Sequence, residues 1–321
     1  MLTRRLHDFA VRELKKRYDV EIYTGKMPMP KDLLLSKIRN KDGLICYPYD
    51  IIDADVIDAG TKLRAISTFS VGHDHIDVSA SQSRGIIVGY TPEVLTRATA
   101  DLAMALLLAA FRRIPEGNEL VRKNRWKTIF GPDEFLGTDL YGKTIGIFGM
   151  GRIGQAVAKR AFGFEMKVLY HNRKQVSTVL ERKLGARFVS LDELFRRSDV
   201  VSIHAPYTSQ TYEIVDLGLL KKMKKTAFLI NTARGKLVNE KDLIYALKNN
   251  IIAGAGLDVF QKEPIGSSHT FAKMKNVIIM PHSGSSTAET RAEMAKITVK
   301  NLVLALSGRK PIYQVRVRLD H

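Results

Sequence analysis

Short apolar runs alternate with amphipathic segments along the first third of the chain. Leu6–Arg17 carries apolar residues at helical spacing, which predicts a helix. Four runs rich in β-branched and aromatic residues predict strands: Val20–Tyr23, Gly43–Tyr47, Ala65–Phe69 and Ile86–Val88. Short strands between helical segments are typical of a parallel sheet with crossover helices. The pattern therefore predicts an α/β unit of about 90 residues, which the long apolar helix Ala98–Phe111 follows.

A second unit begins with the strand Thr144–Phe148, which leads into a glycine-rich turn and a helix through Gln155–Ala161. Five further runs predict strands with helical segments between them: Val168–Tyr170, Val200–Ile203, Ala227–Ile230, Ala255–Val259 and Val277–Met280. This alternation predicts a doubly wound parallel sheet. The last segment, Ser285–Ser307, predicts one amphipathic helix that packs on the first unit.

The length of 321 residues agrees with two units, because single cores stop growing near ~250 residues. We therefore predict an α/β fold with two domains. Residues 95–283 form a Rossmann-type doubly wound parallel sheet, the dinucleotide-binding domain. Residues 1–94 and 284–321 form a smaller, flavodoxin-like α/β substrate domain.

Composition narrows the class of protein. The formal charge of +18, from 51 Lys+Arg against 33 Asp+Glu, admits nucleic acid or an anionic small molecule as a partner. The basic residues are spread along the chain without a nucleic-acid-binding motif, so nucleic acid is disfavoured. The apolar run Leu102–Phe111 is shorter than the ~20 residues of a membrane span. The single Cys46 cannot form an internal disulfide, and no signal-peptide pattern follows Met1, so we expect a cytoplasmic protein.

The turn Gly149-Met150-Gly151-Arg152-Ile153-Gly154 follows a strand and opens a helix, as dinucleotide sites require. Gly149 permits the tight turn, Gly151 the approach of a pyrophosphate, and Gly154 close packing of the helix on the sheet. The amides at the helix start, including those of Arg152 and Ile153, then face the phosphates.

The end of the next strand indicates which dinucleotide is bound. NAD-selective sites place Asp or Glu there for the ribose hydroxyls. This chain has Asn172, Arg173 and Lys174 instead, which can bind a 2′-phosphate. NADP(H) is therefore favoured, and NAD(H) remains open because some basic loops accept both cofactors.

Three late segments each follow an apolar strand: Asn231-Thr232-Ala233-Arg234-Gly235, Asp258-Val259-Phe260-Gln261-Lys262-Glu263-Pro264 and Pro281-His282-Ser283-Gly284. Ligands bind at the carboxyl edge of an open α/β sheet, so we expect these segments to converge. Arg234 can bind the carboxylate of a 2-keto acid and polarise its keto oxygen. His282 can protonate the forming alkoxide, and Glu263 can orient the imidazole. We predict these three as the catalytic residues.

Together these segments resemble the D-isomer-specific 2-hydroxyacid dehydrogenases over nearly the whole chain. Further matches to that family are Ser70-Val71-Gly72 with Asp74, Ile76 and Asp77; His204-Ala205-Pro206 with Thr208 and Thr211; and Gly254-Ala255-Gly256-Leu257-Asp258. Thr91-Pro92-Glu93-Val94-Leu95-Thr96 with Ala98, Thr99, Ala100 and Asp101 is most similar to the glyoxylate and hydroxypyruvate reductase branch. The first strand is shortened relative to the family, so the edge of the small sheet is expected to be weak.

The resemblance implies reduction of a small 2-keto acid to its D-2-hydroxy acid, with glyoxylate or hydroxypyruvate favoured. It implies that Val71 and Gly72 hold the substrate carboxylate and that Asp258 bonds the nicotinamide carboxamide. The other residues implied to contact the cofactor are Thr99, His204, Pro206, Thr232 and Ala233. It further implies a homodimer through the cofactor domain, with Asn118–Leu136 as the dimer arm.

Other interpretations stay open. Dinucleotide-sensing corepressors of the C-terminal-binding-protein type resemble this chain too, and a dehydrogenase for 2-ketogluconate or phosphite would use the same residues. His73-Asp74-His75 lacks a third ligand, so no metal is expected. His7, His171 and His269 have no motif around them and are expected at the surface.

Overall fold

The structure, a computed structural model, describes residues 1–25 and 28–316. It forms two compact units, the first comprising Met1–Leu95 with the described residues from Ser285 onward, the second Thr96–Gly284. The end of the predicted substrate domain, residues 317–321, lies outside the described residues. The two predicted boundaries are each one residue earlier than those of the units.

The strands are β1 Gly43–Cys46, β2 Ala65–Thr68, β3 Ile87–Gly89, β4 Thr144–Phe148, β5 Lys167–His171, β6 Ala186–Phe188, β7 Val200–Ile203, β8 Phe228–Asn231, β9 Gly254–Leu257 and β10 Val277–Ile279. The helices are α1 Asp8–Lys15, α2 Lys31–Ile38, α3 Ala54–Ala59, α4 Val78–Ser83, α5 Thr96–Phe111, α6 Ile114–Arg122, α7 Arg152–Gly163, α8 Thr178–Leu184, α9 Leu191–Arg197, α10 Leu217–Leu220, α11 Glu240–Lys248 and α12 Ala288–Leu306. Short 3₁₀ turns cover Ser209–Thr211, Gly235–Leu237 and Thr270–Lys273.

The small sheet consists of three parallel strands in the order β1-β2-β3. Leu2 extends it beyond β1 through single parallel bridges to Ile45 and Ile22. The order Ile22, Leu2, β1, β2, β3 is that of a flavodoxin-like sheet. The predicted strand Val20–Tyr23 is only one bridge, so the edge of this sheet is short.

Helix α12 packs on the small sheet through polar as well as apolar contacts. The Ser67 hydroxyl on β2 donates to the Thr298 carbonyl at 2.9 Å, and Asn301 Nδ2 donates to the Tyr90 carbonyl at 2.9 Å. Met294 and Leu302 lie on the buried face of the helix. The C-terminal helix therefore belongs to the first unit, as its amphipathic pattern predicted.

The large sheet has seven parallel strands in the order β10-β9-β8-β7-β4-β5-β6. One apolar cluster includes Phe195, Leu220 and Leu229, and a second cluster includes α5 residues such as Leu107. The strand order reverses between β4 and β7, where open α/β sheets bind ligands. The predicted fold class is confirmed, including the doubly wound sheet. Among the helices that the structure describes, none has the length and apolar character needed to cross a bilayer.

Candidate active site

The glycine-rich turn connects β4 to α7. Gly149 has φ +101°, a left-handed conformation, and a Cβ there would overlap the amide of Ala205. A Cβ on Gly154 would overlap the Gly149 carbonyl oxygen, so the helix lies directly against the turn. Gly151 is the N-cap of α7, with open space around its α-carbon. The turn is thus closely packed at Gly149 and Gly154 and open at Gly151. The open position is the N-terminus of α7, where backbone amides and the helix dipole favour phosphate.

The end of β5 is tied to this turn. Asn172 Oδ1 accepts from the Met150 amide at 3.1 Å, and the His171 carbonyl accepts from the Gly149 amide at 3.0 Å. Arg173 and Lys174 are exposed. The side-chain oxygen of Asn172 therefore has a structural partner, whereas its side-chain nitrogen has none among the described residues and lies beside two cations.

Two further strand ends complete this part of the sheet edge. His204, after β7, lies with Nε2 2.8 Å from the Ser202 hydroxyl. The Thr232 hydroxyl, after β8, is buried and has no hydrogen-bond partner within the described part of the chain. An unsatisfied buried hydroxyl is costly, so a ligand group is a natural partner for it. Open space at Gly151, this hydroxyl and the basic loop after β5 fit a dinucleotide.

Burial lowers the pKa of His204 to about 3, so its imidazole is neutral at physiological pH. The unfolded chain takes up this proton near pH 6.5, well above the pKa in the folded state. The contribution to stability is therefore present above about pH 6.5 and is lost as the pH falls towards 3. We expect wild type to lose about 2 kcal/mol more than His204→Gln between pH 7 and pH 5. Urea unfolding at both pH values measures this difference, and equal losses would contradict a neutral imidazole in the folded chain.

Arg234 follows β8 in a loop that Asn231 organises. The Asn231 side chain, 1% exposed, accepts from the Ala233 amide at 3.0 Å and donates to the Arg234 carbonyl at 2.9 Å. A Cβ on Gly235 would overlap the carbonyl carbon of Phe260, so the Arg234 loop lies against the segment that carries Glu263. The half-buried Arg234 side chain donates to the Ala233 carbonyl at 2.9 Å.

Glu263 and His282 form a close pair. Glu263 Oε2 lies 2.7 Å from His282 Nδ1, and Glu263 Oε1 accepts from the Phe260 amide at 2.9 Å. The glutamate side chain is 15% exposed and the histidine side chain 25%. The carboxylate therefore holds the imidazole by Nδ1, and Nε2 is the ring nitrogen that can exchange a proton with a ligand.

His282 adopts φ +53°, a conformation that is uncommon for residues other than glycine. Asp258, which is 1% exposed, holds this turn in place. Its two oxygens accept from the amides of Ser283 at 2.7 Å and Gly284 at 2.8 Å, and burial raises its pKa. On the other side, the Thr99 hydroxyl donates to the Gly284 carbonyl at 3.1 Å.

Sequence reasoning missed a polar network behind the Glu263 loop. Gln261 Nε2 donates to Glu213 Oε1 at 2.7 Å and to the Val238 carbonyl at 3.0 Å. Glu240 accepts from the Gln261 amide at 3.4 Å and lies 3.2 Å from His269 Nε2. His269, predicted at the surface, is partly buried, with a side chain that is 23% exposed. His171, also predicted at the surface, is a half-buried ring beside Phe188.

The substrate loop predicted in the first unit follows β2. The Ser70 hydroxyl donates to the Gly72 carbonyl at 2.6 Å, and the Ser70 carbonyl accepts from the Thr91 amide at 2.8 Å. Val71 and Gly72 are half-buried, whereas His73 and Asp74 are exposed. Across the residues that the structure describes, no group of three or more His, Cys, Asp or Glu is suited to a metal ion.

Comparison with known proteins agrees with this geometry. The family model for the D-isomer specific 2-hydroxyacid dehydrogenase, NAD binding domain, matches residues 104–284. The glyoxylate reductase of Pyrococcus horikoshii is 44% identical over 313 residues, 97% of this chain and 93% of that protein. The TT0316 protein of Thermus thermophilus gives a TM-score of 0.91 at 44% identity, covering 98% of this chain and 99% of that one. A glyoxylate/hydroxypyruvate reductase of Sinorhizobium meliloti, in complex with NADP and malonate, gives 0.85 at 30% identity, covering 98% and 95%.

The chain therefore belongs to the D-isomer specific 2-hydroxyacid dehydrogenase family. Its class is that of an oxidoreductase with a nicotinamide dinucleotide cofactor. The family resemblance predicted from the sequence motifs is confirmed, while the choice between NADP(H) and NAD(H) stays a prediction.

Proposed function

We propose that this protein reduces a small 2-keto acid, glyoxylate or hydroxypyruvate, to its D-2-hydroxy acid with NADPH. The observation that carries the proposal is the Glu263–His282 pair at 2.7 Å, on a loop that lies against the Arg234 loop. Relatives about 44% identical over nearly the whole chain are glyoxylate reductases, which supports the same substrate class.

Arg234 binds the substrate in this proposal. Its guanidinium is always charged and offers paired donors, which suit a carboxylate and an adjacent keto oxygen. Negative charge develops on that oxygen as the keto group is reduced, so the cation stabilises the product-forming state more than the starting one. The bonds from Asn231 to the backbone on both sides keep the arginine in position.

His282 supplies the proton. When bound, the nicotinamide cofactor provides the hydride. The protonated imidazole donates from Nε2 to the substrate oxygen, while Nδ1 remains bonded to Glu263. The carboxylate favours the imidazolium form and fixes the orientation of the ring. In the oxidative direction the neutral imidazole takes the proton back.

The dinucleotide is held by the edge of the large sheet. Gly149, Gly151 and Gly154 and the amides of Arg152 and Ile153 would hold its pyrophosphate. His204, Pro206, Thr232 and Ala233 would line the cleft, and Thr99 and Asp258 would contact the nicotinamide. Thr232 then gains the partner that its buried hydroxyl lacks among the described residues. Thr96–Gly284 is thus the cofactor domain and the first unit the substrate domain, with Val71 and Gly72 amides on the substrate carboxylate.

Cofactor preference follows from the loop after β5. Arg173 and Lys174 would pair with a 2′-phosphate, and Asn172 would donate to it from its side-chain nitrogen. We expect kcat/KM for NADPH to exceed that for NADH, and Arg173→Ala to lower this ratio about tenfold or more. Initial rates with each cofactor measure it, and Arg187→Ala, an exposed arginine on β6, is the matched control. An unchanged ratio in Arg173→Ala would overturn the assignment.

The segment Asn118–Leu136 is proposed as the dimer arm. It exposes Trp126, Ile129, Phe130 and Leu136 at 53%, 91%, 44% and 59%. Exposed apolar side chains at this density are typical of an interface. A homodimer through the cofactor domain would cover them.

The direct test is consumption of NADPH or NADH by the purified protein with glyoxylate, hydroxypyruvate or pyruvate. We expect turnover of glyoxylate or hydroxypyruvate that Arg234→Ala reduces at least about a hundredfold. Tight cofactor binding without turnover of any of the three would reject the proposal and favour a dinucleotide-sensing protein.

A further inference from the structure

Two arginines of the first unit, Arg4 and Arg291, both act on Tyr47, which follows β1 at the carboxyl edge of the small sheet. Leu2 and Ile45 form a parallel bridge, and Arg4 and Tyr47 each come two residues later on neighbouring segments. The Tyr47 ring packs on Phe69, with ring centres 5.0 Å apart, and the Tyr47 hydroxyl donates to the Arg5 carbonyl at 3.3 Å. Arg4 therefore stands beside a buried aromatic pair at the edge where α/β sheets bind ligands.

Arg291 approaches the same pair from the first turns of α12. Its guanidinium carbon lies 5.5 Å from the centre of the Phe69 ring, and its Nη2 donates to the Ser286 hydroxyl at 3.0 Å. Stacking on an aromatic ring orients a planar guanidinium, whose edge carries the hydrogen-bond donors. Phe69 directly precedes the Ser70–Gly72 loop in the sequence. The Arg291 guanidinium therefore contacts the residue next to the proposed carboxylate site.

Two cations, Arg4 and Arg291, and one buried carboxyl group, Asp50, act on Tyr47. Burial raises the pKa of Tyr47 to about 12, and the charges of Arg4 and Arg291 both act against that rise. Arg4 is exposed and forms no ion pair with a carboxylate of residues 1–25 or 28–316. Asp50 is 1% exposed, accepts from the Tyr47 amide at 2.8 Å, and has a pKa that burial raises. An anion beside Tyr47 and Phe69 would meet the guanidinium groups of Arg4 and Arg291, while the Asp50 carboxyl is buried and bonded to the Tyr47 amide.

We propose that Arg4 and Arg291 form a second anion subsite, which binds the far carboxylate of a 2-keto dicarboxylic acid. The inference rests on the proposed function, because the Ser70–Gly72 loop is taken to hold the first carboxylate. It extends the substrate range from glyoxylate to longer keto acids with a terminal carboxylate. A keto acid of the same length without a terminal carboxylate lacks the group that the two arginines would bind.

The test compares oxaloacetate with 2-oxobutyrate, which share a four-carbon chain but differ in the terminal carboxylate. We expect wild-type kcat/KM to favour oxaloacetate about tenfold or more, as a charge-assisted hydrogen bond provides. Arg4→Ala and Arg291→Ala should each lower this ratio about tenfold. Arg5→Ala is the matched control, because neighbouring Arg5 pairs with Asp8 at 2.7 Å, and its ratio should equal that of wild type.

Binding of succinate and butyrate to the full chain, followed by calorimetry, gives a readout independent of turnover. We expect succinate to bind about tenfold tighter or more, and Arg4→Ala, an exposed substitution, to abolish the difference. Turnover of glyoxylate without any preference for the dicarboxylates would overturn the subsite alone. A succinate preference without turnover of any keto acid would reject the proposed function and leave the subsite standing.

Discussion

His282→Asn is expected to lower kcat for 2-keto acid reduction by about 10²–10⁴, the usual contribution of a general acid. Asparagine is the informative replacement because His282 has φ +53°, and asparagine adopts this conformation more readily than most residues. The turn that Asp258 holds should therefore survive, so the loss reports on the proton and not on folding. Steady-state rates together with thermal unfolding of the same sample measure both.

The matched control is His269→Asn. His269 also lies beside a carboxylate, Glu240 at 3.2 Å, in the same unit. We expect His269→Asn to change kcat far less than His282→Asn does. His269 lies in the middle of the segment between β9 and β10 and not directly after a strand of the large sheet. Equal losses in the two variants would contradict the role given to His282.

Gly235→Ala is expected to destabilise the protein by about 1–3 kcal/mol and to remove most of the activity. A Cβ at this position would overlap the carbonyl carbon and oxygen of Phe260, so backbone and not a side-chain tip must move. That movement separates the Arg234 loop from the loop that carries Glu263. Urea unfolding and kcat/KM measured on one preparation test both effects.

Gly163→Ala is the control for this substitution. Gly163 is the last residue of α7, and open space surrounds the position of an added Cβ. Alanine favours helix over glycine by up to about 1 kcal/mol, so this variant should be as stable as wild type or slightly more stable. A Gly235→Ala protein with wild-type stability would show that the two loops are not held together as described.

Much of the fold follows from local pattern. The strand Thr144–Phe148 has the predicted bounds because five β-branched, small or aromatic residues stand between Lys143 and a glycine turn. Ala186–Phe188 was missed, since three residues with one arginine carry too little pattern and pair only with β5. Val20–Tyr23 has the alternation of a strand but finds a single bridge partner, Leu2. Which strands pair depends on the whole sheet, and the local sequence pattern carries no information about that pairing.

Sheet topology predicts which residues of the site lie near one another, but not the contacts between them. Parallel strands bring their carboxyl ends to one edge, so Arg234, Glu263 and His282 could be expected near one another. The contacts between them depend on how the loops turn. The bonds from Asn231 to both sides of the Arg234 loop, and from Asp258 to the amides after His282, have no sequence spacing that predicts them. A buried polar residue at a strand end was the available signal.

The most direct test of the central claim is the configuration of the glycerate that the protein forms from hydroxypyruvate and NADPH. The product can be resolved on a chiral column and quantified against both enantiomers. The proposed function predicts D-glycerate alone, in an amount equal to the NADPH consumed. Formation of L-glycerate, or of no glycerate while glyoxylate and pyruvate are also left unreduced, would contradict the account.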